Sequence, residues 1–375
     1  MDEDWDLLVS FLPSEWRELA AETGALKGLR KDKSVDNLLR TLLIHLGCGH
    51  SLRETVVRAR QANLADLSDV ALLKRLRKSK EWLYALCVRL FQEHGIAVAS
   101  GGGFQLRAFD ATTVKEPGKT GSLWRVHYSV CLPSLACDFF KLTRTEGAGS
   151  GESFAQFPIR AGDHVVADRG YSTARGIGHV ADAGGQLIVR VNTGALPLRT
   201  VSGEPLDLLA TVTSLRRVGV ATSWSAQVVV DGDSAQPSRV VVGRVCAVRK
   251  SAAAVREAQR KIRQEATRKG KWAQPATLRF AAYVIVFTTF PAATFSATEV
   301  LEWYRIRWQV ELVFKRFKSL AQLGHLPKYD DDSAKAWLYG KLLVALLVEK
   351  LIRHASAISP WGYDLAPAAT TERVA

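Results

Sequence analysis

The chain has 375 residues, 47% hydrophobic and 23% charged, a balance that fits a folded globular protein and excludes wholesale disorder. Its longest apolar runs, such as 280–287, span about eight residues, where a membrane helix needs about 20. Lys and Arg number 51 against 37 Asp and Glu, a net charge of +14 that points to a polyanionic partner.

The charge is unevenly spread. Residues 1–24 are acidic, whereas 25–100 and 249–271 each carry a net +7. The five cysteines are scattered and form no C-x-x-C, so neither a disulfide framework nor structural zinc is expected. With an acidic start, MDEDWDLL, the chain reads as a reduced cytoplasmic protein with no membrane association.

Apolar residues recur at helical spacing over 37–46, 52–59 and 70–90, so residues 1–100 read as a helical region. Ser51 and Ser68 are candidate N-caps, and Glu54 completes a capping-box pattern with Ser51. Short runs rich in β-branched and aromatic residues follow at 104–110, 123–132, 138–143, 164–168 and 186–191, with a helix at 172–183. They imply an α/β unit with a mixed sheet. A second strand-rich stretch covers 226–230, 239–248 and 278–288, interrupted by a charged helix near 252–270. Helices at 297–320 and 334–357 close the pattern, the first capped by Ser296 with Glu299 three residues on.

Several motifs are excluded. Gly118-Lys119-Thr120 has the end of a phosphate-binding loop, but Thr113 stands where that loop needs Gly. Neither G-x-S-x-G nor H-E-x-x-H occurs. His127, Cys131 and Cys137 have poor spacing for zinc. Two carboxylates stand out instead. Asp110 and Asp168 each end an apolar run, and carboxylates at neighbouring strand ends converge on a hard divalent cation. An Asp at a strand end also caps the turn that follows. A third acid lies in WYRIRWQVELVFKRFKSL. On a helix, Tyr304, Arg307, Glu311 and Lys318 share one stripe about 60° wide, apart from the apolar face. A carboxylate flanked by cations suits phosphoryl transfer. The same helix also reads as an amphipathic one with Arg307 and Glu311 paired across a turn.

Together these residues resemble the DDE transposases of the insertion-sequence-four family. That family's Y-x2-R-x3-E-x6-K is matched at Tyr304, Arg307, Glu311 and Lys318. Its D-x-G-[YF] is matched at Asp168-Arg169-Gly170-Tyr171, and its D-[AGS]-[ST]-x at Asp110-Ala111-Thr112-Thr113. The resemblance is strong over 104–325 and weaker over 35–95.

The resemblance implies an RNase H-like mixed sheet flanked by helices, with an N-terminal helical DNA-binding region (1–100), the core in two parts (101–195 and 293–358), an inserted β-rich subdomain (196–292) and a tail (359–375). It implies a bacterial insertion-sequence transposase that cuts at terminal inverted repeats and joins the freed 3′-OH to target DNA. Asp110, Asp168 and Glu311 would hold two Mg²⁺ or Mn²⁺ ions. Tyr304, Arg307 and Lys318 would hold backbone phosphates. Trp272, just after Lys269 and Lys271, which would bind adjacent phosphates, would stack an unstacked base, with Trp224 as its competitor. Arg53, Lys74, Arg75 and Arg77 would contact the element's end. Double-stranded DNA is the expected partner, bound by a homodimer that pairs two ends, in the cytoplasm at the nucleoid. A nuclease without strand transfer and a disabled DNA-binding relative are the alternatives.

Overall fold

The computed structural model describes residues 2–29, 34–93, 106–115, 122–132, 136–147, 150–232, 237–307 and 330–357. Its contacts divide the chain into two units, one of Met1–Ala97, Thr113–Leu123 and Phe314–Ala375, the other of Val98–Thr112 and Trp124–Val313.

The first unit is helical, as its apolar periodicity requires. It comprises α1 (Asp2–Ser10), α2 (Trp16–Glu22), α3 (Val35–Cys48), α4 (Leu52–Gln61), α5 (Asp69–Lys78), α6 (Lys80–Glu93) and the C-terminal helix Asp331–Ala357. Ser34, Ser51 and Ser68 cap α3, α4 and α5, each accepting a backbone N–H three residues on. A cap of this kind stabilises a helix by about 1 kcal/mol. Only half of the box expected at Ser51 forms, because the Glu54 carboxylate pairs with His50 and Arg58. The helix expected over 70–90 breaks at buried Ser79, whose N–H closes α5 on the Arg75 and Leu76 carbonyls. After that break Trp82 stacks on Trp16 and donates its indole N–H to the Trp16 carbonyl at 2.9 Å. The C-terminal helix packs on α3, α5 and α6. Its start is tied by ion pairs of Asp330 with Arg77 (2.6 Å) and of Asp332 with Lys80 (2.9 Å).

The second unit is built on one eight-stranded mixed sheet. Its strands are β1 (Leu106–Lys115), β2 (Ser122–Leu132), β3 (Ala136–Arg144), β4 (His164–Ala167), β5 (Gln186–Arg190), β6 (Ala221–Val230), β7 (Arg239–Arg249) and β8 (Tyr283–Thr288). The order is β3-β2-β1-β4-β5-β8-β7-β6. β1, β4 and β5 run parallel, and the β2–β3, β5–β8, β8–β7 and β7–β6 pairs are antiparallel. The parallel centre is apolar on both sides: Val165, Val166 and Ala167 of β4 and Leu187, Ile188 and Val189 of β5 are all fully buried. The strands expected as an insertion after 196 hydrogen-bond onto β5 through β8, so they continue the sheet that carries β1 and β4.

Among the described residues, helices α7 (Ala174–Asp182), α8 (Leu208–Thr213), α9 (Ala252–Arg268), α10 (Pro275–Phe280) and α11 (Ala297–Ile306) punctuate this unit. The stretch expected as a strand over 278–288 opens as α10, with Pro275 in its first turn, and becomes a strand only at Tyr283. Thr173 caps α7, and Ser296 and Glu299 form the full capping box of α11. Residues 308–320 of the long helix expected from 297 lie outside the described residues. Among the described residues no helix is long and apolar enough to cross a membrane.

Candidate active site

Strand register brings the first two acids together. Along the parallel β1–β4 pair, Leu106 to Phe109 stand opposite His164 to Ala167. The next residues are Asp110, which lies within β1 and not at the strand end that the sequence suggested, and Asp168, just past the end of β4. Two anchors hold that register. Phe109 is buried and stacks on Phe157 with ring centroids 4.1 Å apart. Arg107 is buried in an ion-paired triad, 2.7 Å from both the Asp138 and the Asp163 carboxylates, and donates to the Pro158 carbonyl.

Asp110 accepts hydrogen bonds from the Tyr128 hydroxyl at 3.0 Å and from the Ala111 N–H at 2.8 Å. Burial raises its pKa above the usual carboxylate range; the Ala111 N–H, the Arg307 guanidinium and the Tyr128 hydroxyl oppose the shift, and the Asp168 carboxylate adds to it. Asp168 caps the short 3-10 turn Arg169–Tyr171, accepting from the Gly170 N–H at 2.8 Å. Asp168 thus caps local backbone, Asp110 accepts the next N–H along β1, and the Asp168 carboxylate acts electrostatically on that of Asp110.

Tyr304 and Arg307 end α11, which packs on β4 through β8. Tyr304 is buried, and the Arg307 guanidinium lies 5.7 Å from its ring centre. Arg307 thus joins Asp110 and Asp168 in one electrostatic neighbourhood. Glu311 and Lys318 lie outside the described residues.

Two groups near the acids were not singled out by sequence. Glu152 is half-buried with its carboxylate against Gly170; a methyl group built on Gly170 would collide with it. Burial and the neighbouring Asp168 raise its pKa, Arg125 opposes, and Asp110 adds. Tyr171, noticed only as part of its motif, is fully buried, and its hydroxyl has no hydrogen-bond partner among the described residues. Burial, with the nearby Asp110, Glu152 and Asp168 carboxylates, pushes its pKa up, and Arg125 pulls it back. The signal for Glu152 was weak, since it follows the loop sequence GAGSG with no periodicity to mark it.

The remaining candidates are dispersed. In the helical unit, Arg53 pairs with Asp69 at 3.4 Å, Arg75 donates to the Lys27 and Gly28 carbonyls, and Arg77 pairs with Asp330. Lys74 is exposed and makes no ion pair among the described residues. In the sheet unit, Trp272 is 93% exposed, whereas Trp224 packs against the core. Lys269 pairs with Glu265 at 2.7 Å, and exposed Lys271 makes no ion pair among the described residues. His127 is buried against Thr143 and Cys131 is buried, and neither belongs to a metal-binding group among the described residues.

The donor chemistry near Asp110 suits a hard cation, because carboxylate and phenol oxygens crowd there with a buried hydroxyl left unpartnered. Among the described residues no three His, Cys, Asp or Glu side chains form a ready-made cage.

Comparison with known proteins identifies the family. The family model for the transposase DDE domain matches residues 152–347. The chain is 30% identical over 362 residues to the putative transposase InsL for insertion sequence element IS186A of Escherichia coli (strain K12), covering 96% of each chain. It is likewise 30% identical over 363 residues to the transposase for insertion sequence element IS421 of Escherichia coli, again covering 96% of each. A shorter match, 26% over 104 residues, covers 28% of this chain and 22% of the transposase for insertion sequence element IS231C of Bacillus thuringiensis subsp. berliner. The chain belongs to the DDE transposases of insertion sequences, with the RNase H-like catalytic fold and the motif order of the insertion-sequence-four family.

Proposed function

We propose that this transposase binds the terminal inverted repeats of its element, cleaves DNA there and joins the freed 3′ ends to target DNA by cut-and-paste transposition. The observation that carries the reading is that Asp110 and Asp168 directly follow the last paired residues of β1 and β4, with Asp168 and Arg307 both acting on Asp110.

Asp110, Asp168 and Glu311 are the proposed ligands of two divalent cations, Mg²⁺ or Mn²⁺. When bound, such ions activate an attacking oxygen and stabilise the leaving 3′ oxygen of a phosphodiester. The protein's own groups orient the site. Tyr128 and the Ala111 N–H fix the two oxygens of Asp110, and the Gly170 N–H fixes Asp168. Tyr304, Arg307 and Lys318 hold the backbone phosphates on either side of the cleaved bond. Arg307 supplies a planar donor fork for one of them.

DNA contacts spread from there. Helix α9 has no buried residue along its 17 positions, and the ion pairs of Glu257 and Glu265 engage only some of its cations. Its Arg256, Arg263 and Arg268 make no ion pair among the described residues. Such cations track a duplex backbone and release its counterions. Exposed Trp272, just after Lys269 and Lys271, stacks a displaced terminal base. Arg53, Lys74, Arg75 and Arg77 of the N-terminal region contact the repeat. Two copies of the chain pair the two ends, in the cytoplasm at the nucleoid.

Strand transfer with pre-cleaved ends tests this reading. Ends carrying a free 3′-OH, mixed with plasmid target and Mg²⁺, should become joined, and Glu311→Gln should abolish joining. Unjoined target, with uncut ends still cleaved, would reduce the chain to a nuclease.

A further inference from the structure

Glu152 lies outside the three acids of the motif set, yet the fold carries it to them. The residue that caps the next turn is Ser153, which accepts the Ala155 N–H at 3.2 Å. Phe154 follows, fully buried between Phe109 and Tyr171 with ring centroids 6.0 and 5.4 Å away. This plug fixes the chain just after Glu152 and turns the Glu152 side chain onto the Asp168-Arg169-Gly170-Tyr171 turn.

The fit there depends on a missing side chain. Gly170 does not have the positive φ that commonly selects glycine. What it lacks is space, because the Glu152 carboxylate occupies the volume a Cβ would need. The same built Cβ would stand 3.1 Å from Oδ1 of Asp168, so Gly170 is the narrow gap across which the two carboxylates face each other.

A second observation points to a ligand. The Tyr171 hydroxyl is buried without a partner among the described residues, in the field of Asp110, Glu152 and Asp168. A hydroxyl left in this state costs about 1–3 kcal/mol unless something pairs with it. The Asp110, Glu152 and Asp168 carboxylates also repel one another, and among the described residues Arg307, at Asp110, and Arg125, at Glu152 and Tyr171, oppose them. Arg125 also donates to the Ser150 carbonyl. A hydrated divalent cation answers both needs, since it neutralises the acids and its water accepts from or donates to the phenol.

We propose that Glu152 is a fourth carboxylate of the cation site, an oxygen donor to the divalent cation held by Asp110 and Asp168, directly or through a water shared with the Tyr171 hydroxyl. This rests on the metal-dependent reading of the site.

The test is Mn²⁺ binding to the full chain without DNA, followed by the loss of the free Mn²⁺ electron paramagnetic resonance signal. Wild type, Glu152→Gln and Asp168→Asn are compared, with thermal unfolding in EDTA as the control for folding. Glu152→Gln should weaken Mn²⁺ binding about 10–100-fold, in the range seen for groups that support metal ligands, while its unfolding in EDTA stays at the wild-type temperature. Wild-type affinity in Glu152→Gln alongside loss in Asp168→Asn would overturn the role of Glu152 and leave the metal reading intact. No Mn²⁺ bound by the wild type would overturn both. Should Glu152→Gln fail to fold, Glu152→Asp makes the same test, because it keeps the charge and withdraws it by one methylene; undiminished affinity there would count against the proposal.

Discussion

Single side chains in the sheet unit show how the site departs from a core built for stability. The buried Tyr171 hydroxyl pairs with nothing among the described residues, while its ring packs on Phe154 and Phe157. Tyr171→Phe should therefore leave the metal-free protein as stable as wild type, or more stable by about 1 kcal/mol. Urea unfolding in EDTA measures this, and a loss above that size would mean the hydroxyl is paired in solution. His127 is buried on β2 beside Thr143, and burial lowers its pKa from 6.5 to about 4. A histidine held neutral in the native state adds no pH dependence above 6.5. Below that, the unfolded chain takes up a proton that the native one refuses, so stability falls as pH drops from 6.5 to 4 and then levels. The size is about 3 kcal/mol. Asp110 and Glu152, whose pKa values are raised, act in the opposite sense, so the comparison with His127→Gln is the informative one. The variant should show a flatter decline between pH 6.5 and 4, and parallel curves would exclude His127 as its source.

At the scale of elements, the register of β1 on β4 determines the site, and Arg107 is its strongest lock. Its guanidinium holds Asp138 of β3 and Asp163 just before β4. Arg107→Ala would leave two poorly solvated carboxylates without their cation, at a cost of about 3–5 kcal/mol. Denaturant unfolding checks this, and a loss below 1 kcal/mol would show that the triad does not hold the strands. Trp272 poses the contrary case. Because it is 93% exposed, Trp272→Ala should not change the unfolding temperature. It should slow cleavage at element ends by about 5- to 100-fold, the range of one lost base stack, while leaving binding to random duplex unchanged. Equal losses on both substrates would make Trp272 a general DNA contact.

The elements also show what sequence could reveal. The apolar runs ending in Asp110 and Asp168 marked the strands and their acids, because parallel central strands are apolar on both faces. The placement of Tyr304 and Arg307 followed from helical spacing and the Ser296–Glu299 box. The attachment of β6–β8 to β5 was not legible, since β-branched runs announce strands and not their partners. The break at Ser79 was hidden inside a continuous helical period. Glu152 escaped because a loop acid has no periodicity; only the plug at Phe154 and the gap at Gly170 bring it to the site.

For the whole molecule, the net charge of +14 is concentrated in two places, and many of its cations are already engaged within the chain. Arg77, Arg53, Arg260 and Lys269 all form ion pairs, whereas exposed Lys74, Arg256, Arg263, Arg268 and Lys271 are among those that make none with the described residues. If α9 tracks DNA, replacing Arg256, Arg263 and Arg268 by Gln should lower the slope of log affinity against log salt by about 2–3 for an element end. An unchanged slope would place the duplex elsewhere.

The central claim is that the paired acids cut DNA at the element's ends. The most direct measurement is cleavage of a fragment carrying the native flanking repeats, with Mg²⁺ or Mn²⁺, by wild type and by Asp168→Asn. The account predicts metal-dependent cutting at the repeat boundary that the variant loses while still binding the same fragment. Cutting that survives in Asp168→Asn, or binding by the wild type without cutting under either metal, would contradict it.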